Sequence, residues 1–102
     1  NRLKQVFVNV IKNSVEAIQD NGIIEMIVSV NKKGVEIIIQ DNGIGMSESE
    51  LEHIYEMFYT SKKNGTGLGV SLSYEIILGH NGSMKYQSVK NEGTKCIIEL
   101  PR

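Results

Sequence analysis

Two asparagines, Asn9 and Asn13, lie four residues apart in the first apolar-patterned segment, and Glu16 follows three residues later. At about 100° per residue of helix, these three polar side chains share one stripe beside the apolar face. Asparagine is a poor helix former, so two of them in mid-helix cost stability with no evident return in packing. Amide oxygens are ligands suited to Mg²⁺. The stripe is therefore either an ordinary solvated surface or part of a magnesium site.

A carboxylate, Asp41, ends a run of three isoleucines expected to be buried in a sheet, and Gly43 and Gly45 follow it. Such a carboxylate, beside glycines that let a ligand approach the backbone, can accept a hydrogen bond from an exocyclic amine. A plain Asp-Asn-Gly turn is the alternative. A calcium loop running from Asp41 to Glu52 is excluded, because the glycines supply no side-chain oxygen and Met46 occupies the position of the required glycine.

A glycine triplet, Gly65, Gly67 and Gly69, opens a second apolar-patterned helix directly after Lys62 and Lys63. The free N–H groups and the dipole of a helix N-terminus favour phosphate, and the lysines add positive charge. The triplet is neither a Walker loop, which would end in Gly-Lys-Ser/Thr, nor a dinucleotide fingerprint, whose third glycine comes three residues after the second. A flexible loop with a capping role is the alternative.

The histidines and the cysteine offer no catalytic arrangement. Neither His53 nor His80 has a triad or metal partner at a recognisable spacing, and Cys96 alternates with Ile98 and Leu100 as a buried core thiol would. We interpret all three as structural.

Composition indicates one soluble domain. The chain has 102 residues, 40% of them hydrophobic and 23% charged. Eleven basic and 12 acidic residues give a net charge of −1, so no basic excess favours nucleic acid or an anionic membrane. One cysteine makes no internal disulfide, and no stretch approaches the ~20 apolar residues that cross a bilayer. We expect a cytoplasmic setting and no nucleic-acid partner.

Apolar periodicity and turn residues predict an α, β-hairpin, α, α, β-hairpin order. The predicted elements are a helix over 2–19, strands over 23–30 and 35–40, a short helix opened by a Ser47-x-x-Glu50 capping box, a loop over 55–63, a helix opened at 65–69 and ended at 79–82, and strands over 83–89 and 94–100. Hairpins cannot form an all-parallel sheet. The simplest packing is a two-layer α/β (α+β) sandwich, with a mixed, mostly antiparallel sheet covered on one face by helices.

Taken in this order, four motifs resemble the ATP-binding catalytic domain of bacterial sensor histidine kinases, within the GHKL ATPase superfamily. They are the N box at 9–17, the first glycine box at 41–46, the F box at 54–62 and the second glycine box at 65–71. Gly93-Thr94 and Leu100-Pro101 also fit the family's last hairpin, so the match covers nearly the whole chain. The F box departs from the family pattern at Tyr55, where phenylalanine is usual, and at Met57, where proline is usual. Losing the proline is expected to loosen that segment.

The resemblance implies the Bergerat fold, with ATP and Mg²⁺ as ligands. It implies that Asp41 accepts from the adenine amino group and that Asn13 and Asn9 hold Mg²⁺ against the phosphates. Asn9 and Lys62 are the implied catalytic residues, with Lys62 meeting the terminal phosphates. The other implied nucleotide-binding residues are Gly43, Gly45, Phe58, Gly65, Thr66, Gly67, Leu68 and Gly69. Residues 46–66 would form a lid over the nucleotide.

The resemblance also implies partners. The phosphoacceptor histidine of this family lies on a separate helical dimerisation domain, and phosphate then passes to an aspartate of a response regulator. Because the chain begins at Asn1, we expect residues 1–102 to be a piece that lacks that domain and the fold's first short strand. We expect the piece to be monomeric, and its parent protein to be cytoplasmic, with or without a membrane anchor.

Three hypotheses for function stay open on the sequence. The first is the ATP-binding half of a sensor kinase. The second is a nucleotide-binding regulator, such as an anti-sigma-type serine kinase. The third is a DNA-linked ATPase of the topoisomerase or mismatch-repair kind. The short lid, the F box with Lys62 and the absence of basic patches favour the first. Superfamily members that hydrolyse ATP well usually carry a glutamate where Asn9 stands, so we expect ATP to be bound but hardly consumed.

Overall fold

The computed structural model describes residues 2–18, 21–55 and 69–101. The elements within them are α1 (Arg2–Ala17), β1 (Ile24–Val30), β2 (Gly34–Asp41), α2 (Glu48–His53), α3 (Gly69–Gly79), β3 (Ser83–Val89) and β4 (Gly93–Pro101). Their types and order are those predicted, and their described bounds lie within a few residues of the predicted ones. The predicted opening of α3 at 65–68 and the predicted loop beyond residue 55 lie outside the described residues. No helix in these ranges is long and apolar enough to span a membrane.

The four strands form one sheet in the order β1-β2-β4-β3, and all three pairings are antiparallel. The prediction of a mixed sheet is thus not met among the described strands. In the second hairpin, β4 is the strand that pairs with β2, and the two strands run in opposite directions. If β3 had paired with β2 instead, that pair would have been parallel. Burial gives the reason: β4 carries adjacent apolar residues on both faces, Cys96, Ile97 and Ile98, whereas β3 exposes Lys85 and Gln87.

Helices α1 and α3 pack against each other and cover one face of the sheet, so the predicted two-layer sandwich is confirmed. The core between the layers consists of Val6, Val10, Ile37, Ile39, Ile76, Ile77, Met84, Cys96 and Ile98. Val6 and Val10 belong to the apolar stripe of α1 that the periodicity predicted. Cys96 is 1% exposed, which agrees with its interpretation as a core thiol.

Local capping signals set the ends of the later helices. At the start of α2, the Ser47 hydroxyl accepts from the Glu50 N–H at 3.2 Å, and the Glu50 carboxylate accepts from the Ser47 N–H at 2.9 Å, which is the predicted capping box. At the end of α3, His80 Nδ1 lies 2.8 Å from the carbonyl oxygen of Ile76 and donates to it. Asn81 then takes a left-handed conformation with φ of 61°.

Candidate functional site

A cavity of about 340 Å³ lies beneath α1, at the edge of the sheet where β2 ends. Its apolar wall comes from the sheet and the loop after β2, through Ile39 and Ile44. Polar groups enter from the strand ends, through Asp41 and Thr94, and from α1, through Asn13. An apolar slot with a few convergent polar groups is typical of a small-molecule site.

The Asp41 carboxylate stands at the end of β2 and is partly buried there. One carboxylate oxygen, Oδ1, accepts from the Gly43 N–H at 2.8 Å. The second oxygen stays available to a donor in the cavity as far as the described residues go. The Asp-Asn-Gly turn and the ligand-facing acceptor are therefore not alternatives, because one carboxylate serves both.

The loop after Asp41 is held tightly by its neighbours. The Ile44 N–H donates to the Ala17 carbonyl at 2.9 Å, and the Ile44 carbonyl accepts from the Asn91 N–H at 2.6 Å. Gly45 has φ of 65°, and a Cβ there would collide with the Val89 carbonyl oxygen, while a Cβ on Gly43 would lie 2.5 Å from the Ala17 oxygen. Both glycines are therefore required by close contacts of the chain with itself. Gly45 also lines the cavity.

A hydroxyl pair on the second hairpin joins this loop to the sheet. Ser88 Oγ accepts from the Met46 N–H at 2.8 Å, donates to the Gly93 carbonyl at 2.9 Å and lies 2.8 Å from Thr94 Oγ1. A serine has one proton, so while it serves Gly93 the Thr94 hydroxyl must donate to Ser88. Thr94 then presents only lone pairs to the cavity. Sequence reasoning assigned neither residue to the site, although Gly93-Thr94 was noted in the family's last hairpin and both residues flank the turn of that hairpin.

The polar stripe of α1 divides between two places. Asn13 and Glu16 line the cavity. Asn9 lies one turn earlier and outside the cavity lining among the described residues, where its Nδ2 donates to the buried Ser73 hydroxyl of α3 at 3.4 Å. The structure thus brings Asn13 together with Asp41 and places Asn9 at the contact between α1 and α3.

Three tyrosines form a cluster beside the cavity, which sequence reasoning did not foresee. The ring centroid of Tyr55 lies 4.7 Å from that of Tyr74 and 6.1 Å from that of Tyr86. The Tyr55 hydroxyl accepts from the Tyr86 N–H at 3.0 Å. Burial raises the pKa of Tyr55, raises the pKa of Tyr86 well above its usual value and raises the pKa of the adjoining Cys96 to about 12, so all three groups are neutral at pH 7.

Several predicted site residues lie outside the described residues: Phe58, Lys62, Gly65, Thr66, Gly67 and Leu68. Gly69 is the first residue of α3. The roles assigned to these residues remain predictions. The same holds for the predicted lid beyond Tyr55.

The side-chain oxygens that line the cavity suit Mg²⁺, which takes few protein ligands, better than a metal ion that is coordinated entirely by protein side chains. Within residues 2–18, 21–55 and 69–101, no group of three or more His, Cys, Asp or Glu side chains could hold a metal ion. Mg²⁺ commonly takes one or two protein oxygens and completes its shell with phosphate oxygens and water. Asn13 can supply an amide oxygen from within the cavity, so the residues present are compatible with that arrangement.

A depression of about 360 Å³ on the opposite side of the same strand ends competes with the cavity as a site. Its walls include polar side chains of the uncovered sheet face, among them Glu25, Gln40, Gln87 and Lys95. Gln40 donates to the Glu25 carboxylate at 3.3 Å, so part of this polarity is already used. Asp41 and Thr94 line both hollows, but of the two, the cavity beneath α1 also has Asn13 in its described lining and is therefore the candidate site.

A family model described as histidine kinase-, DNA gyrase B- and HSP90-like ATPase matches residues 1–102. The chain belongs to this ATPase family. Sporulation kinase E of Bacillus subtilis is 44% identical over 102 residues, which is 99% of this chain and 14% of that protein. Sensor histidine kinase ZraS of Escherichia coli O157:H7 is 34% identical over 98% of this chain and 22% of its own length. The chain thus spans less than a quarter of these two relatives.

Solved structures agree with this assignment. The catalytic domain of histidine kinase ThkA, in a nucleotide-free form, superposes with a TM-score of 0.86 at 33% identity, covering 98% of this chain and 67% of that one. The mycobacterial sensor histidine kinase MprB, at 24% identity and a TM-score of 0.85, shares the fold. The resemblance drawn from the four motifs is therefore confirmed, and the ATPase family implies that this domain binds ATP.

Proposed function

We propose that this chain is the ATP-binding catalytic domain of a two-component sensor histidine kinase. It binds Mg·ATP beneath α1 and donates the γ-phosphate to a histidine on a separate helical domain, from which phosphate passes to a response regulator. The observation that carries the proposal is the meeting of the Asp41 carboxylate and the Asn13 amide in one cavity of a chain of this ATPase family. The names of its relatives support the kinase class.

Adenine selectivity follows from the polarity of the strand ends. The free oxygen of Asp41 can only accept, and the Thr94 hydroxyl also accepts while its proton serves Ser88. An adenine amino group satisfies such acceptors, whereas the guanine carbonyl at the same position would meet them lone pair to lone pair. Ile39 and Ile44 supply apolar surface for the faces of the base.

The phosphates are assigned to the α1 side of the cavity and to the segment that leads into α3. Asn13, with Asn9 one turn away, would hold Mg²⁺, which neutralises phosphate charge when bound. Lys62 would meet the terminal phosphates, and the N–H groups of Gly65, Gly67 and Gly69 would donate to them. Phe58, Thr66 and Leu68 complete the proposed nucleotide contacts.

The proposed transfer needs a partner. The bond between the γ-phosphorus and the β–γ bridging oxygen breaks, and ADP leaves with that oxygen. A bond forms between phosphorus and the unprotonated nitrogen of a neutral imidazole, and the proton on the other ring nitrogen is released to a base on the partner domain or to water. Asn9 can orient groups, but a carboxamide cannot take the proton of an attacking water. The domain is therefore proposed to hold ATP without rapid hydrolysis until a histidine is supplied, in a cytoplasmic setting.

Incubation with γ-labelled ATP tests the proposal. We expect negligible label on the chain alone, very slow phosphate release, and acid-labile label on a histidine-bearing helical domain of the parent kinase supplied in trans. An Asp41→Asn variant should lose transfer to the added domain, whereas the matched Glu36→Gln variant on the same strand should retain it. Acid-labile label on this chain alone, or brisk phosphate release that Asn9→Ala abolishes, would contradict the proposal.

A further inference from the structure

Tyr86 carries a buried hydroxyl with no assigned role. The residue lies on β3 opposite Cys96, on the face that the helices cover, and it lines the cavity beneath α1. Its hydroxyl oxygen is fully buried and has no hydrogen-bond partner among the described residues. Buried polar groups are nearly always paired, so an exception calls for an explanation.

The tyrosine is held so that its hydroxyl cannot turn to solvent. Its backbone N–H donates to the Tyr55 hydroxyl at 3.0 Å, and its ring packs beside the Tyr55 ring. Antiparallel pairing with β4 fixes the backbone on the other side. The partner of the hydroxyl must therefore come from the cavity side, by a small movement of a neighbouring group.

Asn13 is the side chain best suited to meet this hydroxyl. It lines the same cavity as Tyr86, and its amide carries an N–H that can donate to a phenol oxygen. Thr94 also lines the cavity, but its proton serves Ser88 while Ser88 serves Gly93. The Tyr86 hydroxyl oxygen can therefore act as an acceptor for the Asn13 amide.

We propose that Tyr86 is a positioning residue for Asn13: on binding of the Mg·nucleotide, Asn13 Nδ2 donates to the buried Tyr86 hydroxyl, which turns Asn13 Oδ1 toward the cavity. The two ends of an amide point in divergent directions, so anchoring the nitrogen on the sheet side directs the oxygen toward a bound cation. Metal ligands are commonly oriented in this way by a group behind them. The inference rests on the proposed function and adds a residue to its metal-binding side.

The first experiment is calorimetry of ADP and ATP binding to Tyr86→Phe, with Mg²⁺ and with EDTA. We expect Mg·nucleotide affinity to fall by about 2- to 12-fold, the range for loss of one neutral hydrogen bond, and metal-free affinity to stay unchanged. The melting temperature of the nucleotide-free variant should be equal to or above that of the wild type, because the variant removes a buried hydroxyl that has no partner in the part of the chain that the structure describes. Tyr74→Phe, from the same cluster but outside the cavity lining, is the matched control and should bind like the wild type.

The second experiment repeats Tyr86→Phe in an Asn13→Ala background. If Tyr86 acts through Asn13, removing the hydroxyl has no further effect on Mg·nucleotide affinity there, and the two substitutions are non-additive. Additive losses would instead mean that the hydroxyl contacts the nucleotide directly, and equal losses with and without Mg²⁺ would mean a general packing defect. Either result overturns the inference.

The controls separate this inference from the proposed function. If the wild-type chain binds neither ATP nor ADP, the proposed function fails first. If the wild type binds Mg·ATP and Tyr86→Phe binds it equally well, only the role of Tyr86 is refuted. A Phe variant that melts well below the wild type would show that the hydroxyl already has a structural partner, which also refutes the inference.

Discussion

The two ends of the sheet use similar chemistry in opposite ways. At the Gly34 end, formed by Gly34, Ser83 and Pro101, the nearby Asn31 side chain accepts from the N–H groups of Lys33 and Gly34, at 2.8 and 3.0 Å. The side-chain oxygen of Asn31 is thus already used by the backbone of its own turn.

At the Asp41 end, formed by Ile24, Asp41, Ser88 and Thr94, groups from separate hairpins converge and some acceptors stay available. One oxygen of Asp41 accepts from the Gly43 N–H, and the Asp41 side chain lines the cavity. A binding site needs polar groups that the fold positions without satisfying them completely. Matched substitutions, one at each end of the sheet, test this difference.

The largest effect is expected for the glycines. Gly45→Ala forces a left-handed φ of 65° on alanine and drives its Cβ into Val89, so we expect a loss of about 3 kcal/mol in unfolding free energy and weaker ATP binding. Gly34→Ala meets the Leu100 carbonyl and should also destabilise the protein, but the folded molecules should bind ATP normally. Urea denaturation and calorimetry measure the two quantities. Gly79→Ala, with open space around it, is the control and should not destabilise.

The second-largest effect is expected for the Asp41 carboxylate. Asp41→Asn keeps an oxygen for the Gly43 N–H but replaces the cavity-facing acceptor with a donor, so stability should change little. ATP affinity should fall by about 1.5–3 kcal/mol, as expected for loss of a charged hydrogen bond, which corresponds to roughly 10- to 150-fold. Glu36→Gln on the same strand is the matched control. Calorimetry showing wild-type affinity for Asp41→Asn would remove Asp41 from the site.

A smaller effect is expected for the side chains that organise each end. Ser88→Ala removes an acceptor for the Met46 N–H and the partner of Thr94, so we expect about 1 kcal/mol lower stability and a modest loss of ATP affinity. Asn31→Ala should cost a similar amount of stability with no effect on ATP. If both variants weakened ATP binding equally, the contrast between the ends would be wrong.

The smallest effect concerns the buried thiol near the Asp41 end. Cys96 has a folded pKa of about 12 against an ordinary 9.0, so between these values the unfolded chain loses the proton while the folded chain keeps it. This contribution to stability is complete below pH 9 and is lost as pH rises toward 12. We expect unfolding free energy to fall by about 0.8 kcal/mol between pH 7 and pH 9.5 from this group. Denaturation of Cys96→Ser should show a flatter profile, and an unchanged slope would exclude the thiol.

Most elements were predictable because their signals are local. The spacing of Val6 and Val10 marks a helix face, and the Ser47–Glu50 capping box marks a helix start within four residues. Asp41 and Asn13 were identified because each has an unusual residue type for its place in a strand or helix. The choice of β4 over β3 as the neighbour of β2 was not predictable from turn residues, since it depends on which strand carries apolar residues on both faces.

The order of the elements could be read from the sequence, as could the four motifs and the residue types available at the strand ends, because these depend on neighbours a few residues away. Tertiary packing alone places Asp41 and Asn13 in one cavity, brings Asn9 to Ser73, and buries a Tyr86 hydroxyl that has no partner among the described residues. Those relations join residues tens of positions apart. They follow from sheet order and from the packing of α1 on the sheet, which no local periodicity encodes.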